Sequence, residues 1–291
     1  MIIDAHQHVW DLTRARYDWL GPALAPVDRT ITQDEALPLL RDCGVEAVVL
    51  VQAADNRDDT DLMLATAERH PEVVAVVGYV PLEDPAATAA QLAQLAAMPL
   101  VVGVRNLIHD RPDPDFLLRD DVNQSLALVA EAGLSFDVVA VLPRHLEHVP
   151  VLAERHPELR LVIDHLARPP IGGSGSTLWR SLMARAAANP QVYAKVSGLY
   201  PGQDPARWST ASIRPYVEHA LDCFGADRLM YGGDWPISVL AGGYLAVWDG
   251  LLPLFDELPP AERAALLGGT ATEFYRIPAA RLATLARSTR A

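Results

Sequence analysis

The chain has 291 residues, half of them hydrophobic, and a formal net charge of −13. That is enough for one large α/β barrel or two ordinary domains, and the acidity disfavours nucleic acid and anionic membrane surfaces as partners. The two cysteines, Cys43 and Cys223, have no CxxC neighbour, so they are expected to be reduced core thiols; the start of the chain lacks a signal-peptide pattern, and the expected location is the cytoplasm.

Eight short apolar, β-branched runs recur at residues 2–8, 45–52, 73–81, 101–107, 135–140, 161–166, 192–198 and 229–235. Runs apolar on both faces suit buried parallel strands. The segments between them carry helical signals. Thr32 caps a helix that stops at Gly44, and Pro85 suits a first helical position. Further helices are expected over residues 58–69, 121–132, 144–155, 178–188, 213–224, 245–255 and 261–267. Eight alternations of strand and helix fit a single (β/α)8 TIM barrel over residues 1–291, with C-terminal helices. An open doubly wound sheet is the other candidate, but no GxGxxG follows the first strand. Long loops follow strands one, four and six, on the face where such barrels carry their sites.

The polar residues of these strands cluster toward their C-terminal ends: His6 and His8, Gln52, Tyr79, Arg105 and Asn106, Asp164 and His165, Lys195 and Ser197, and Asp234. A strand buried on both faces tolerates such groups where they meet partners or a cleft. His6 and His8, two residues apart, point to one side of a strand. Strand eight lies beside strand one in a closed barrel, so Asp234 approaches that pair. Two imidazoles and a carboxylate can hold a divalent metal or can orient and deprotonate a water. Lys195 is expected to pair with a carboxylate such as Asp4. Asp164 is expected to point away from His165 and to be structural, and Asp137 is left without a role. His70 and His156 sit at helix ends, and His145, His148 and His219 are expected on helix surfaces. Trp10, Tyr17 and Trp19 either cover a core edge or line the mouth of the cleft.

The motif Asp-Ala-His-Gln-His-Val-Trp-Asp at residues 4–11 resembles the opening of the lactonase group of the amidohydrolase superfamily. The resemblance continues in Gly103-Val104-Arg105, Asp164-His165-Leu166, Lys195-Val196-Ser197-Gly198-Leu199, and the run from Phe224 to Pro236. The stretch from Trp235 to Tyr244 is most similar to the branch of L-fuconolactonases and related sugar lactonases. Asn106 stands where that branch has His, His109 where it often has Gln, Gly233 where it has Ser, and Thr270 where it has Asn. The first two lie where substrate would bind.

The resemblance implies a TIM barrel that hydrolyses a small lactone, a sugar lactone being the expectation, with Asp234 as the water-activating base. His6, His8 and His165 would polarise the carbonyl, or would join Asp234 in holding one divalent metal, zinc being the candidate. No cofactor is otherwise implied. Arg105, Gln52, Tyr79, Trp19, His109 and Trp235 would contact the substrate. Two other activities remain open: hydrolysis of an aromatic or dicarboxylate lactone, and metal-dependent decarboxylation by a similar set. A catalytically silent binding barrel is the third reading, and an oligomer is compatible with the sequence.

Overall fold

The computed structural model describes residues 1–200, 204 and 207–288. Eight parallel strands occur in the order β1 to β8: β1 Ile3–Gln7, β2 Ala47–Val51, β3 Val73–Gly78, β4 Val101–Arg105, β5 Ser135–Val138, β6 Leu161–Ile163, β7 Val192–Val196 and β8 Leu229–Tyr231. Each neighbouring pair is parallel. The ring closes just beyond β8, where Asp234 N donates to His6 O at 2.9 Å and His8 N donates to Trp235 O at 2.7 Å. This is the (β/α)8 TIM barrel expected from the alternation.

Seven helices connect the strands and an eighth follows β8, together forming the outer layer: α1 Gln33–Asp42, α2 Arg57–Arg69, α3 Pro85–Leu95, α4 Asp120–Glu131, α5 Pro143–Arg155, α6 Ser176–Ala187, α7 Thr210–Phe224 and α8 Tyr244–Asp256. Their starts follow the capping chemistry. Glu35 reaches back to Thr32 N at 3.2 Å, and Asp84 caps Ala87 N at 3.0 Å ahead of Pro85. The outward residues of the strands, such as Val48, Leu50, Val76 and Val104, pack under these helices in one core. Inward residues, such as Val49, Val51, Val74 and Val77, form a second core with Phe274, Tyr275 and Ile277. The last helices, α9 Pro260–Ala264, α10 Thr270–Phe274 and α11 Ala279–Ser288, carry those aromatic residues. Among the described residues no helix is long and apolar enough to cross a membrane.

Two strands end earlier than their apolar runs. β6 stops at Ile163 because His165, Leu166, Ala167 and Arg168 take φ values of 55°, 48°, 56° and 47°. β8 stops at Tyr231, before Gly232, Gly233 and Asp234, whose φ is 53°. Non-glycine residues are uncommon in this region. In both places the chain leaves the ladder and turns a polar residue toward the barrel end.

Candidate active site

β1 presents His6 and His8 on one side, with their Nε2 atoms 3.2 Å apart. The turn after β8 brings in Asp234, whose Oδ1 lies 3.9 Å from His6 Nε2 and 3.8 Å from His8 Nε2. The turn after β6 brings in His165, whose Nε2 is 3.9 Å from the same oxygen. All four residues called from the sequence therefore meet. Their outer nitrogens are anchored: His8 Nδ1 lies 2.7 Å from Val51 O, and His165 Nδ1 lies 2.8 Å from Ser197 Oγ. Gly198, at φ 55°, leaves room for this pair. A Cβ there would sit 2.5 Å from His165 Nδ1 and 3.1 Å from Asp234 Oδ2.

A buried ionic layer lies behind the site. Arg105 Nη1 donates to Asp164 Oδ2 at 2.9 Å. Lys195 Nζ donates to Asp137 Oδ2 at 2.6 Å and lies 3.1 Å from Asp164 Oδ1. Tyr275 OH donates to the same Asp137 oxygen at 2.7 Å. Two expectations are corrected here. Asp164 does not point away from the site, because the left-handed turn at His165 breaks the strand alternation that would separate the two side chains. Lys195 does not pair with Asp4. Asp4 instead accepts from Gly233 N at 2.8 Å, His6 N at 3.0 Å and Tyr244 OH at 2.9 Å. The same packing explains Gly233, since a Cβ there would fall 2.2 Å from the Tyr244 ring.

Burial sets the protonation of the site. It holds His6 and His8 well below the ordinary imidazole value and His165 at about 3. The three rings are therefore neutral near pH 7. Burial also pushes Asp234 well above the carboxylate range, against the pull of Arg105. Asp164 behaves differently. Burial pushes it up, but Lys195, His6 and Arg105 together hold it well below the usual range.

The donor set fits a divalent cation. His6, His8 and Asp234 offer three ligand atoms within 4.8 Å of one another. Two nitrogens at normal zinc distances in a tetrahedron lie about 3.3 Å apart, and the observed His6–His8 separation is 3.2 Å. Neutral imidazoles are the form that ligates.

A cavity of about 270 Å³ opens onto this set. His8, His165, Asp234, Arg105, Trp19 and His109 line it, with Leu24, Leu107, Val139, Ile237 and Leu240 supplying apolar walls. The volume suits one small molecule. Gln52, Tyr79 and Trp235 are not among the lining residues. Gln52 is fully buried and its amide donates to Arg105 O at 2.8 Å, so it braces the end of β4 that carries Arg105. Trp235 supplies the carbonyl that closes the barrel on His8. Tyr17 donates to Asp59 at 2.7 Å, whereas Trp19 anchors on Ala53 O at 2.7 Å and reaches the cavity. Arg168 also lines the cavity and was missed. Its left-handed backbone, φ 47°, is what turns it there, and no glycine marks that turn.

Three histidines off the site are also corrected. His145 and His148 are buried, not on the surface. Val141 N and Leu142 N donate to His145 Nδ1 at 3.3 and 3.4 Å, and His148 Nε2 lies 3.0 Å from Asp115. His219 is half-buried against Trp179, with Nε2 3.0 Å from Arg180 O.

The amidohydrolase family profile matches residues 3–277. The chain belongs to the amidohydrolase family. It is 37% identical over 281 residues to L-fucono-1,5-lactonase from Burkholderia ambifaria, covering 94% of this chain and 95% of the relative. It is 34% identical to L-fucono-1,5-lactonase from Burkholderia multivorans, covering 95% of this chain and 96% of the relative. A solved amidohydrolase from Burkholderia multivorans with bound Zn shares 32% identity at a TM-score of 0.86, over 96% of this chain and 100% of that one. In this amidohydrolase the matched region holds every member of the histidine–aspartate set.

Proposed function

We propose that this amidohydrolase is a lactonase that opens a small sugar lactone of the L-fucono-1,5-lactone type. One observation carries the reading: the Asp234 carboxylate meets three neutral imidazoles at the mouth of the barrel, in a chain similar to L-fucono-1,5-lactonases over nearly its full length. The whole chain, residues 1–291, is taken as one catalytic unit.

Asp234 accepts a proton from a water as the water oxygen bonds to the lactone carbonyl carbon. The carbonyl oxygen takes up the negative charge, facing the donors of Arg105 and His165. Collapse of the adduct breaks the bond from that carbon to the ring oxygen. Asp234 returns its proton to the departing ring oxygen, which becomes a hydroxyl, and the new carboxylic acid loses its proton to solvent. The apolar walls face the ring carbons, and Arg105 arrives already neutralised by Asp164. Arg168 adds a second guanidinium to the lining, which can bond the hydroxyls of the sugar ring. A divalent cation, zinc in this proposal, would be held by His6, His8 and Asp234 and would supply Lewis acidity and a more acidic water.

A pH-indicator assay tests this reading with sugar, aromatic and dicarboxylate lactones, with and without a chelator. L-Fucono-1,5-lactone or a close sugar lactone should be opened fastest. Turnover confined to an aromatic or dicarboxylate lactone, or no turnover of any lactone, contradicts it. A chelator-sensitive rate restored by zinc supports the metal; a rate indifferent to chelator removes it from the proposal.

A further inference from the structure

Behind the cleft lies a fully buried lysine that the hydrolysis does not use. Lys195 projects from β7 into the barrel interior. An ammonium carries three N–H donors and no acceptor. Its nitrogen lies 2.6 Å from Asp137 Oδ2 and 3.1 Å from His6 Nδ1. The second contact is a hydrogen bond only if His6 Nδ1 bears a lone pair. His6 then carries its proton on Nε2.

The opposite edge of the ring gives the same answer independently. Val51 O can only accept, so His8 carries its proton on Nδ1, 2.7 Å away. His8 Nε2 therefore bears a lone pair, 3.2 Å from His6 Nε2. Two lone pairs at that distance repel, whereas a proton on His6 Nε2 makes a hydrogen bond. One proton order satisfies these three contacts together: Lys195 to His6, His6 to His8, and His8 to Val51. Arg105 Nη1 lies 3.4 Å from His6 Nε2, but its shorter bond goes to Asp164 Oδ2 at 2.9 Å.

His6 Nδ1 has a second neighbour of the opposite kind. Asp164 Oδ1 is 3.3 Å away and can only accept from it when ionised. That oxygen is buried and receives no hydrogen bond among the described residues. Lys195 Nζ lies 3.1 Å from it and His6 Nδ1 3.3 Å, so it faces a proton from either group. A neutral imidazole that ligates through Nε2 must carry its proton on Nδ1.

We propose that Lys195 and Asp164 form a tautomer selector for His6: Lys195 holds the Nε2–H form without a metal, and Asp164 accepts the Nδ1 proton when Nε2 is a ligand. Lys195 is then a positioning residue that acts on the cleft through His6. The inference is independent of which lactone is the substrate, and its test needs none.

The test is a long-range 1H–15N spectrum of the histidine side chains, recorded on chelator-treated and on zinc-loaded protein at neutral pH. His6 signals are assigned with His6→Gln. In the chelator-treated protein His6 Nδ1 should be unprotonated and Nε2 protonated. Zinc should move the proton to Nδ1, while His8 keeps Nδ1–H in both states. Lys195→Met removes the donor and leaves the acceptor, so the share of the Nδ1–H form of His6 without zinc should rise above that in the wild type, against the remaining pull of His8. A merely structural lysine would leave the tautomer unmoved in that variant. If Lys195→Met does not fold, the two wild-type spectra decide alone. Nδ1–H on His6 in the chelator-treated protein, or no zinc-dependent change at His6, overturns the proposal.

Discussion

β2 and β3 differ sharply from β1, β5 and β7, although all belong to one barrel. β2 reads Ala-Val-Val-Leu-Val and β3 Val-Val-Ala-Val-Val-Gly, and every residue of both is buried. β1, β5 and β7 are buried apart from Tyr193 but carry Asp4, His6, Asp137 and Lys195, each fully buried. The apolar strands stabilise the fold through area removed from water. The polar strands bury charges that are tolerable only because they satisfy one another. The lesson is that one side of the barrel holds the frame while the other spends its interior on aiming the site. The interior charges do so through His6 and Arg105, which both touch Asp164.

Breaking one charge of the polar side should give the largest stability effect. Lys195→Met leaves Asp137 without its cation, and removal of one partner of a buried pair costs about 3–5 kcal/mol. Chemical denaturation measures it. Lys195→Met combined with Asp137→Leu should recover most of the loss without restoring turnover, which would separate aiming from holding. Leu50→Ala in β2 should cost roughly 2–5 kcal/mol and keep turnover per folded molecule, because Leu50 contacts only the outer core. A loss of turnover there would erase the contrast between the two sides.

The smallest effect is a pH slope. Burial raises Asp4 from 3.8 to about 6 in the folded protein. The folded state then binds the proton more tightly than the unfolded chain, so the contribution of Asp4 to stability is greatest below 3.8 and is lost as pH rises through about 6. Asp4→Asn should flatten that part of the melting-temperature profile. An unchanged slope would show that other carboxyls produce it.

The barrel and the meeting of His6, His8 and Asp234 were legible because two simple rules, strand alternation and ring closure, suffice to derive them. His165 was legible by its depth in the sixth run. What alternation could not supply was Asp164 beside it. A run of left-handed residues from His165 to Arg168 turns both side chains inward, and nothing in Asp-His-Leu-Ala-Arg signals such a turn. Arg168 was missed for the same reason. Lys195 was legible as a buried, paired cation but not its partner: Asp137 shares the interior with it, whereas Asp4 turns toward Tyr244 of α8, and no motif marks that difference. His145 and His148 resembled surface residues on α5 because the segment that buries them, around Asp115, follows β4 and is distant in sequence. Gln52 has the position of a substrate contact and the geometry of a support: its amide is committed to Arg105 O.

The central claim is that Asp234 activates the water that opens the lactone, and Asp234→Asn tests it most directly. The substitution keeps the shape and removes the proton acceptor. Turnover of L-fucono-1,5-lactone and the thermal midpoint should be measured on one preparation. A positioned general base contributes about 10²–10⁴-fold, so turnover should fall by at least that order in a protein that still melts cooperatively at or near the wild-type temperature. A folded Asp234→Asn protein that opens the lactone at a near wild-type rate would contradict the account.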